Sequence, residues 1–163
     1  MVVNDARIVI ADTNVVSYEL KRDPLAFEYK RLLARYEVRI AFATVMELHS
    51  WAEKNGWGAR RRLQLRHVLD GYPVLPYSKE IAEICSRVAV QRERAGRPMS
   101  LPDAWIAATA IHFGVPVATH DNDFLDTPGL RVISANPEVC FMRDRHVEAR
   151  RALDLSLRCG CGM

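Results

Sequence analysis

Short runs of apolar residues alternate along this chain with longer segments of helical periodicity, and this alternation most restricts how it can fold. Parallel strands need crossover connections, which are most often helices. The pattern therefore predicts an α/β fold, a three-layer α/β/α sandwich with a central parallel sheet of about five strands. The predicted strands cover residues 7–11, 38–42, 74–75, 115–119 and 130–134.

Capping and turn residues set the predicted helix bounds. Asp23-Pro24 is expected to start a helix that runs through Tyr36, and Thr44 to cap the next one. Ser100 is expected to open a later helix that Gly114 closes. The helices then cover residues 15–20, 24–36, 45–54, 59–69, 79–94 and 101–113.

Length and composition predict one compact domain followed by a charged tail. A chain of 163 residues with 49% hydrophobic residues can bury a sizeable core. No apolar run reaches the roughly 18–20 residues of a membrane span, and no signal peptide is recognisable, so a cytoplasmic protein is expected. We assign residues 1–137 to the folded domain. Residues 138–163 are expected to bind a partner or to be disordered.

Acidic residues stand where such a sheet would bring them together. Asp12 directly follows the first predicted strand, and Asp121 and Asp123 follow another; Asp103 opens the helix that leads into that second strand. Ligands of open α/β sheets gather at the carboxyl ends of the strands. Glu47 lies among apolar neighbours, where a buried carboxylate needs a partner. Converging carboxylates predict a site for a hard divalent cation, Mg²⁺ or Mn²⁺.

Each acid also has a purely structural explanation. Asp12 is a favoured helix N-cap, and Asp103 completes a capping box with Ser100. Asp121 lies in a turn, where aspartate is common for local hydrogen bonding. Glu47 on an exposed helix face would have no special role. Capping explains each residue separately but not their shared place at one edge of the sheet.

Arginine dominates the basic residues of a chain whose net charge is only +3. The planar guanidinium suits phosphate recognition. A solvated helix face is the plain alternative for each arginine run, and genome base composition also favours arginine; both explanations stay open. The candidates for RNA binding are Arg60, Arg61, Arg62 and Arg66, and a second run comprises Arg92, Arg94 and Arg97.

Four motifs in order resemble those of PIN-domain ribonucleases, and most of all the VapC toxins of type II toxin–antitoxin pairs. The likeness covers about residues 7–135. The motifs are Asp-Thr-Asn-Val-Val-Ser at 12–17, Thr-Val-Met-Glu-Leu at 44–48, Leu-Pro-Asp-Ala-Trp-Ile-Ala-Ala-Thr-Ala at 101–110 and Ala-Thr-His-Asp-Asn-Asp-Phe at 118–124.

The resemblance implies a Mg²⁺- or Mn²⁺-dependent endoribonuclease. It places Asp12, Asp103 and Asp121 as metal ligands, with Glu47 and Asp123 as further catalytic acids. It also implies a homodimer and a cognate VapB-like antitoxin that covers the active site. The matching secondary polar positions are Thr13, Asn14 and Thr119.

Other functions are compatible with the same fold. A DNA nuclease would use the same acids, because no motif here reads the RNA 2′-hydroxyl. A non-catalytic RNA-binding module is expected to have lost part of the acidic set, which this chain keeps. A phosphoacceptor receiver domain would need a second acid beside Asp12, where Ala11 stands, and a lysine after the last strand, where residues 134–137 have none.

Overall fold

A five-stranded parallel sheet forms the centre of the molecule. The computed structural model describes residues 8–137. The spatial order of the strands is β3-β2-β1-β4-β5, with every neighbouring pair parallel. The strands are β1 Ile8–Ala11, β2 Glu37–Ala41, β3 Val74–Leu75, β4 Val117–Ala118 and β5 Val132–Ile133.

Within residues 8–137 six α-helices connect and cover these strands, and a short 3₁₀ turn, Asn122–Phe124, follows β4. From β1 the chain builds outward through β2 to β3, and then returns to the other side of β1 to form β4 and β5. The helices are α1 Thr13–Lys21, α2 Pro24–Leu32, α3 Phe42–Lys54, α4 Ala59–Asp70, α5 Lys79–Arg94 and α6 Leu101–Phe113.

The two faces of the sheet bury separate hydrophobic cores. Because side chains alternate along a strand, Val9 and Ala11 of β1 point into one core and Ile10 into the other. The Ile10 core contains residues of α5 and α6. The opposite core contains Tyr29 of α2 and Leu48 of α3, together with residues of α1 and α4. The predicted three-layer α/β/α architecture is confirmed.

Two predicted helix bounds are wrong, and both errors lie beside β2. Helix α3 begins at Phe42, directly after the extended residue Ala41 that ends the strand. Thr44 therefore lies inside the first turn, fully buried, rather than capping the helix. Helix α2 ends at Leu32 instead of Tyr36, because the Tyr36 amide bonds the Leu33 carbonyl in a turn that leads into β2.

The charged tail, residues 138–163, lies outside the described residues. Its predicted role therefore stays a prediction. In the part of the chain that the structure describes, no helix has the length and hydropathy needed to cross a membrane.

Candidate active site

An open cavity of about 380 Å³ lies at the carboxyl edge of the sheet, beside β1 and β4. These strands mark the point where the chain reverses its direction of growth across the sheet, which is where open α/β sheets hold ligands. Carboxylates from four separate elements line the cavity. They are Asp12 after β1, Glu47 in α3, Asp103 in the first turn of α6 and Asp121 after β4.

Asp12 is the most enclosed of these acids, with a relative exposure of 3%. One carboxylate oxygen accepts a hydrogen bond from the Thr13 amide at 2.6 Å, and the other accepts one from the Thr119 hydroxyl at 2.7 Å. Burial raises the pKa of Asp12 to about 7, and the charges of Asp103 and Glu47 add to the rise, while the two hydrogen bonds oppose it. The ionised form of Asp12 is therefore costly unless a cation lies beside it.

Glu47 reaches the same cavity from α3 and is half-buried. Its carboxylate accepts a hydrogen bond from the Thr13 hydroxyl at 2.5 Å. Burial raises the pKa of Glu47, the Asp103 charge raises it further, and the bond from Thr13 lowers it. Thr13 thus joins Asp12 and Glu47, since its amide bonds one acid and its hydroxyl the other.

Asp103 combines the structural and the candidate functional roles. The Ser100 hydroxyl accepts from the Asp103 amide at 3.2 Å and donates to the Asp103 carboxylate at 2.5 Å. The predicted capping interaction therefore exists, yet Asp103 also lines the cavity. Burial raises the pKa of Asp103, and the charges of Asp121 and Asp123 contribute to the same rise.

Asp121 and Asp123 occupy different positions at the 3₁₀ turn after β4. The Asp121 carboxylate accepts a hydrogen bond from the Asp123 amide at 2.9 Å and lines the cavity. Asp123 is exposed and does not line it. The structure thus brings four of the five predicted acids to one cavity and leaves Asp123 near its rim, where its charge still acts on Asp103.

The three predicted secondary polar residues connect the ends of β1 and β4. The side-chain Nδ2 of Asn14 donates to the Thr119 hydroxyl at 3.3 Å, and its side-chain Oδ1 accepts from the His120 backbone amide at 3.3 Å. The Thr119 hydroxyl also accepts from the Asp121 amide at 3.0 Å. These contacts hold the Asp12 and Asp121 loops at a fixed separation.

The donor set suits a hard divalent cation in type and charge. Carboxylate and hydroxyl oxygens line one cavity. Burial, together with the charges of Asp103 and Glu47, raises the pKa of Asp12, and a cation would offset the cost of ionising it. Among residues 8–137, however, no three acidic, histidine or cysteine side chains already stand at ligand spacing. A cation there would be held partly through water, or after the carboxylates move closer together.

Ser17 and Leu48, which lie inside the predicted motifs, also line this cavity, and sequence reasoning missed two further lining residues, Lys21 and Trp51. Helical spacing is the signal that could have found them. Lys21 lies two turns after Thr13, and Trp51 one turn after Glu47, so each shares a helix face with a residue already assigned to the site.

The arginine candidates in α4 do not line the cavity. Arg62 donates to the Trp57 carbonyl at 2.6 Å. Its two terminal nitrogens also pair with the two carboxylate oxygens of Glu53, and the contact from Nη2 to Oε2 measures 3.1 Å. The Arg61 guanidinium lies 3.9 Å from the centre of the Trp57 ring. Arg62 is therefore engaged in local structure, and RNA binding by Arg60, Arg61, Arg62 and Arg66 stays a prediction.

The second arginine run serves the fold at two of its three positions. Arg92 is 4% exposed and donates to the Leu125 carbonyl at 3.0 Å. Arg97 pairs with Asp126 at 2.7 Å. Neither a solvated helix face nor a phosphate contact fits Arg92, because its side chain reaches inward to the loop after β4.

Comparison with known proteins gives a consistent family. The PIN domain family matches residues 9–130. Ribonuclease VapC4 of Mycobacterium tuberculosis is 28% identical over 134 residues, covering 80% of this chain and 98% of its own. Two solved complexes contain a chain of the same fold and 26% identity. DNA-bound VapBC from Salmonella typhimurium has a TM-score of 0.69, covering 78% of this chain and 98% of that chain. A toxin–antitoxin complex from Klebsiella pneumoniae has a TM-score of 0.56, and the match covers 77% of this chain and 95% of that chain.

Proposed function

The chain belongs to the PIN domain family, and on that premise we propose that it is a metal-dependent endoribonuclease and the toxin of a toxin–antitoxin pair. One observation carries the nuclease proposal: four carboxylates from four elements line a single cavity. The relationship to VapC ribonucleases supports RNA as the substrate. Dimer formation remains a proposal that rests on the resemblance, and the boundary at residue 137 and a partner-binding role for the tail remain proposals that rest on the charged sequence after it.

Asp12, Asp103 and Asp121 would hold Mg²⁺ or Mn²⁺, directly or through water. When bound, such a cation lowers the pKa of a coordinated water and neutralises charge that develops on the phosphate. The Asp12 carboxylate is aimed by Thr13 and Thr119, which donate to its two oxygens.

Glu47 would accept a proton from the attacking water. Burial raises its pKa, which brings a carboxylate closer to the range of an effective general base. The Thr13 hydroxyl bonds one of its oxygens, and the residue lines the cavity. Asp123, near the rim, would position water or a second ion.

Cleavage of matched nucleic acids tests the proposal. Purified protein with Mg²⁺ should cut an RNA into products with 5′-phosphate and 3′-hydroxyl ends, and should leave DNA of the same sequence intact. End mapping by sequencing measures both. Equal cleavage of the DNA would favour a DNA nuclease of this fold, and binding without cleavage of either would favour a non-catalytic module.

A groove of about 790 Å³ between α2, β2 and the end of α4 suits an apolar helix of the antitoxin. Phe27 on its wall is 68% exposed, which is unusual for so large an apolar side chain. Charged residues, Glu19, Lys30 and Asp70, stand among the lining residues and offer polar contacts to such a helix. The related toxin–antitoxin complex supports a protein partner. The other apolar or aromatic residues that line the groove are Val15, Ala26, Tyr29, Leu33, Ala34, Tyr36, Val38, Val68 and Tyr72.

Expression of this protein alone is expected to stop bacterial growth, and co-expression of the adjacent antitoxin gene to restore it. Phe27→Glu should leave cleavage unchanged but prevent that rescue, because it places a charge in the apolar groove. Colony counts under both conditions measure the effect. Leu63→Glu is the matched control, since Leu63 is 64% exposed on α4 and outside the groove.

Two outcomes would contradict these partner proposals separately. Full rescue of Phe27→Glu by the antitoxin would exclude the groove as its docking surface. Harmless overexpression of a protein that still cleaves RNA would remove the toxin assignment and leave the ribonuclease assignment standing.

A further inference from the structure

A stack of two aromatic and two basic side chains leads outward from the acidic cavity. Lys21 Nζ lies 4.8 Å from the centre of the Trp51 ring. The Trp51 and Trp57 rings are 5.0 Å apart and inclined by 58°. The Arg61 guanidinium covers Trp57. Cations over indole faces and tilted indole pairs are both stabilising arrangements.

The inner end of this stack forms part of the cavity itself. Lys21 and Trp51 line the cavity together with the candidate acids. Among the described residues that line it, Lys21 is the one basic side chain. Trp51 follows Glu47 by one helical turn, so its indole lies on the same face of α3 as that carboxylate.

Trp51 is held in place before any ligand arrives. Its ring is partly buried and packs against the core that includes Leu48 and Ala52. Trp57, which is 6% exposed, braces it from the side. Core packing alone explains these contacts. It does not explain why the indole reaches a cavity whose other walls are mostly polar and acidic.

Lys21, unlike the partly buried Trp51, is exposed to solvent. It ends α1 on a four-carbon stem with no salt bridge among the described residues. A lysine of this kind can leave the indole face and follow a phosphate. The two residues therefore offer a nucleotide both of its recognition elements, an aromatic face for the base and a cation for the phosphate.

We propose that Trp51 and Lys21 form a nucleotide subsite beside the scissile bond, with a base stacked on Trp51 and a phosphate held by Lys21. The inference rests on the proposed ribonuclease function and deepens it. Stacking requires an unpaired base with a free face, so the substrate at this point is single-stranded RNA. Arg61, held on Trp57, is the next positive charge along the stack.

Oligonucleotide binding in EDTA, where cleavage does not interfere, tests the subsite. The probes are a uridine RNA octamer and a ribose-phosphate octamer of equal charge that lacks all bases. The wild type is expected to bind the uridine octamer about tenfold more tightly, since a base stacked on an aromatic ring contributes on this scale. Trp51→Leu should bind both octamers equally, while Trp51→Tyr keeps the preference.

Trp105→Leu is the matched control, because Trp105 packs against Phe42 and lies outside the cavity. It should keep the tenfold preference. Lys21→Met should reduce the slope of log affinity against log salt by about 0.7, the effect of losing one phosphate contact on a single strand. An unchanged preference in Trp51→Leu would overturn the subsite.

The wild type alone gives a second measurement that does not depend on how a variant folds. The uridine octamer should quench tryptophan emission by stacking, and the octamer without bases should not. Equal emission with both would overturn the proposal. Base-dependent binding by a protein that never cleaves RNA would instead refute the nuclease function and leave the subsite intact.

Discussion

Replacement of Asp12 by asparagine is expected to lower kcat for RNA cleavage by about a thousandfold, the scale on which one electrostatic or proton-handling group acts. Asparagine keeps the size of the side chain and can still accept from the Thr13 amide. What it loses is the negative charge. Single-turnover cleavage measures the effect.

Asp23→Asn is the matched control for this substitution. Asp23 is also an N-cap aspartate, and it accepts from the Leu25 amide at 2.9 Å, but it lies outside the cavity. Its replacement should leave cleavage unchanged. If Asp12→Asn stays as active as Asp23→Asn, then Asp12 is only a cap and the proposed site is wrong.

The same variant should change how stability depends on pH in the metal-free protein. The folded-state pKa of Asp12, about 7, lies above its ordinary value of 3.8, so between these pH values the folded protein holds a proton that the unfolded chain has lost. Stability therefore falls as pH rises from about 4 to about 7. A shift of about three units corresponds to at most about 4 kcal/mol.

Asp12→Asn removes that penalty, so we expect its free energy of unfolding to exceed that of the wild type above pH 7 and to vary less with pH. Denaturant unfolding in EDTA at pH 5 and pH 8 measures the difference. Equal slopes for the wild type and the variant would show that Asp12 ionises without cost, contrary to its burial.

Local rules of chain geometry made the main features predictable. Asp12 and Asp121 were placed correctly at one edge because the carboxyl ends of parallel strands share that edge. Ser100 and Gly114 marked the ends of α6 because capping depends on only a few neighbouring residues. These features follow from local rules, so the sequence was sufficient to predict them.

Features decided by packing between distant segments were not predictable. The bond from Thr13 to Glu47 joins residues 34 positions apart, and it exists only because α1 and α3 cover the same face of the sheet. The burial of Arg92 depends in the same way on the loop at Leu125.

Asp103 shows why the structural and functional explanations had to be kept side by side. Ser100 caps the Asp103 amide as the local rule requires, its hydroxyl also donates to the Asp103 carboxylate, and that carboxylate lines the acidic cavity. A capping bond uses one side of the carboxylate and leaves the other available. Capping fixes the rotamer of Asp103, and that fixed position is also useful in a binding site.

Removal of divalent cations is expected to reduce cleavage at least a thousandfold, and Mg²⁺ or Mn²⁺ to restore it. The reason is electrostatic. Burial raises the pKa of Asp12, Glu47 and Asp103, and neighbouring carboxylates raise each pKa further, so these acids need a compensating charge to act as carboxylates. EDTA treatment followed by titration of each metal into the RNA cleavage assay measures the loss and the recovery.

The effect of Mg²⁺ on the free energy of unfolding measures cation binding without requiring cleavage activity. Mg²⁺ at about one hundred times its dissociation constant should raise the free energy of unfolding by about 2.7 kcal/mol. Asp23→Asn should respond as the wild type does, whereas Asp12→Asn should respond much less, because it lacks the most buried ligand. Full cleavage in EDTA, together with no stabilisation by Mg²⁺, would contradict a metal site here. The four carboxylates would then have to act through protons alone, with Asp12 largely neutral at pH values below its pKa of about 7.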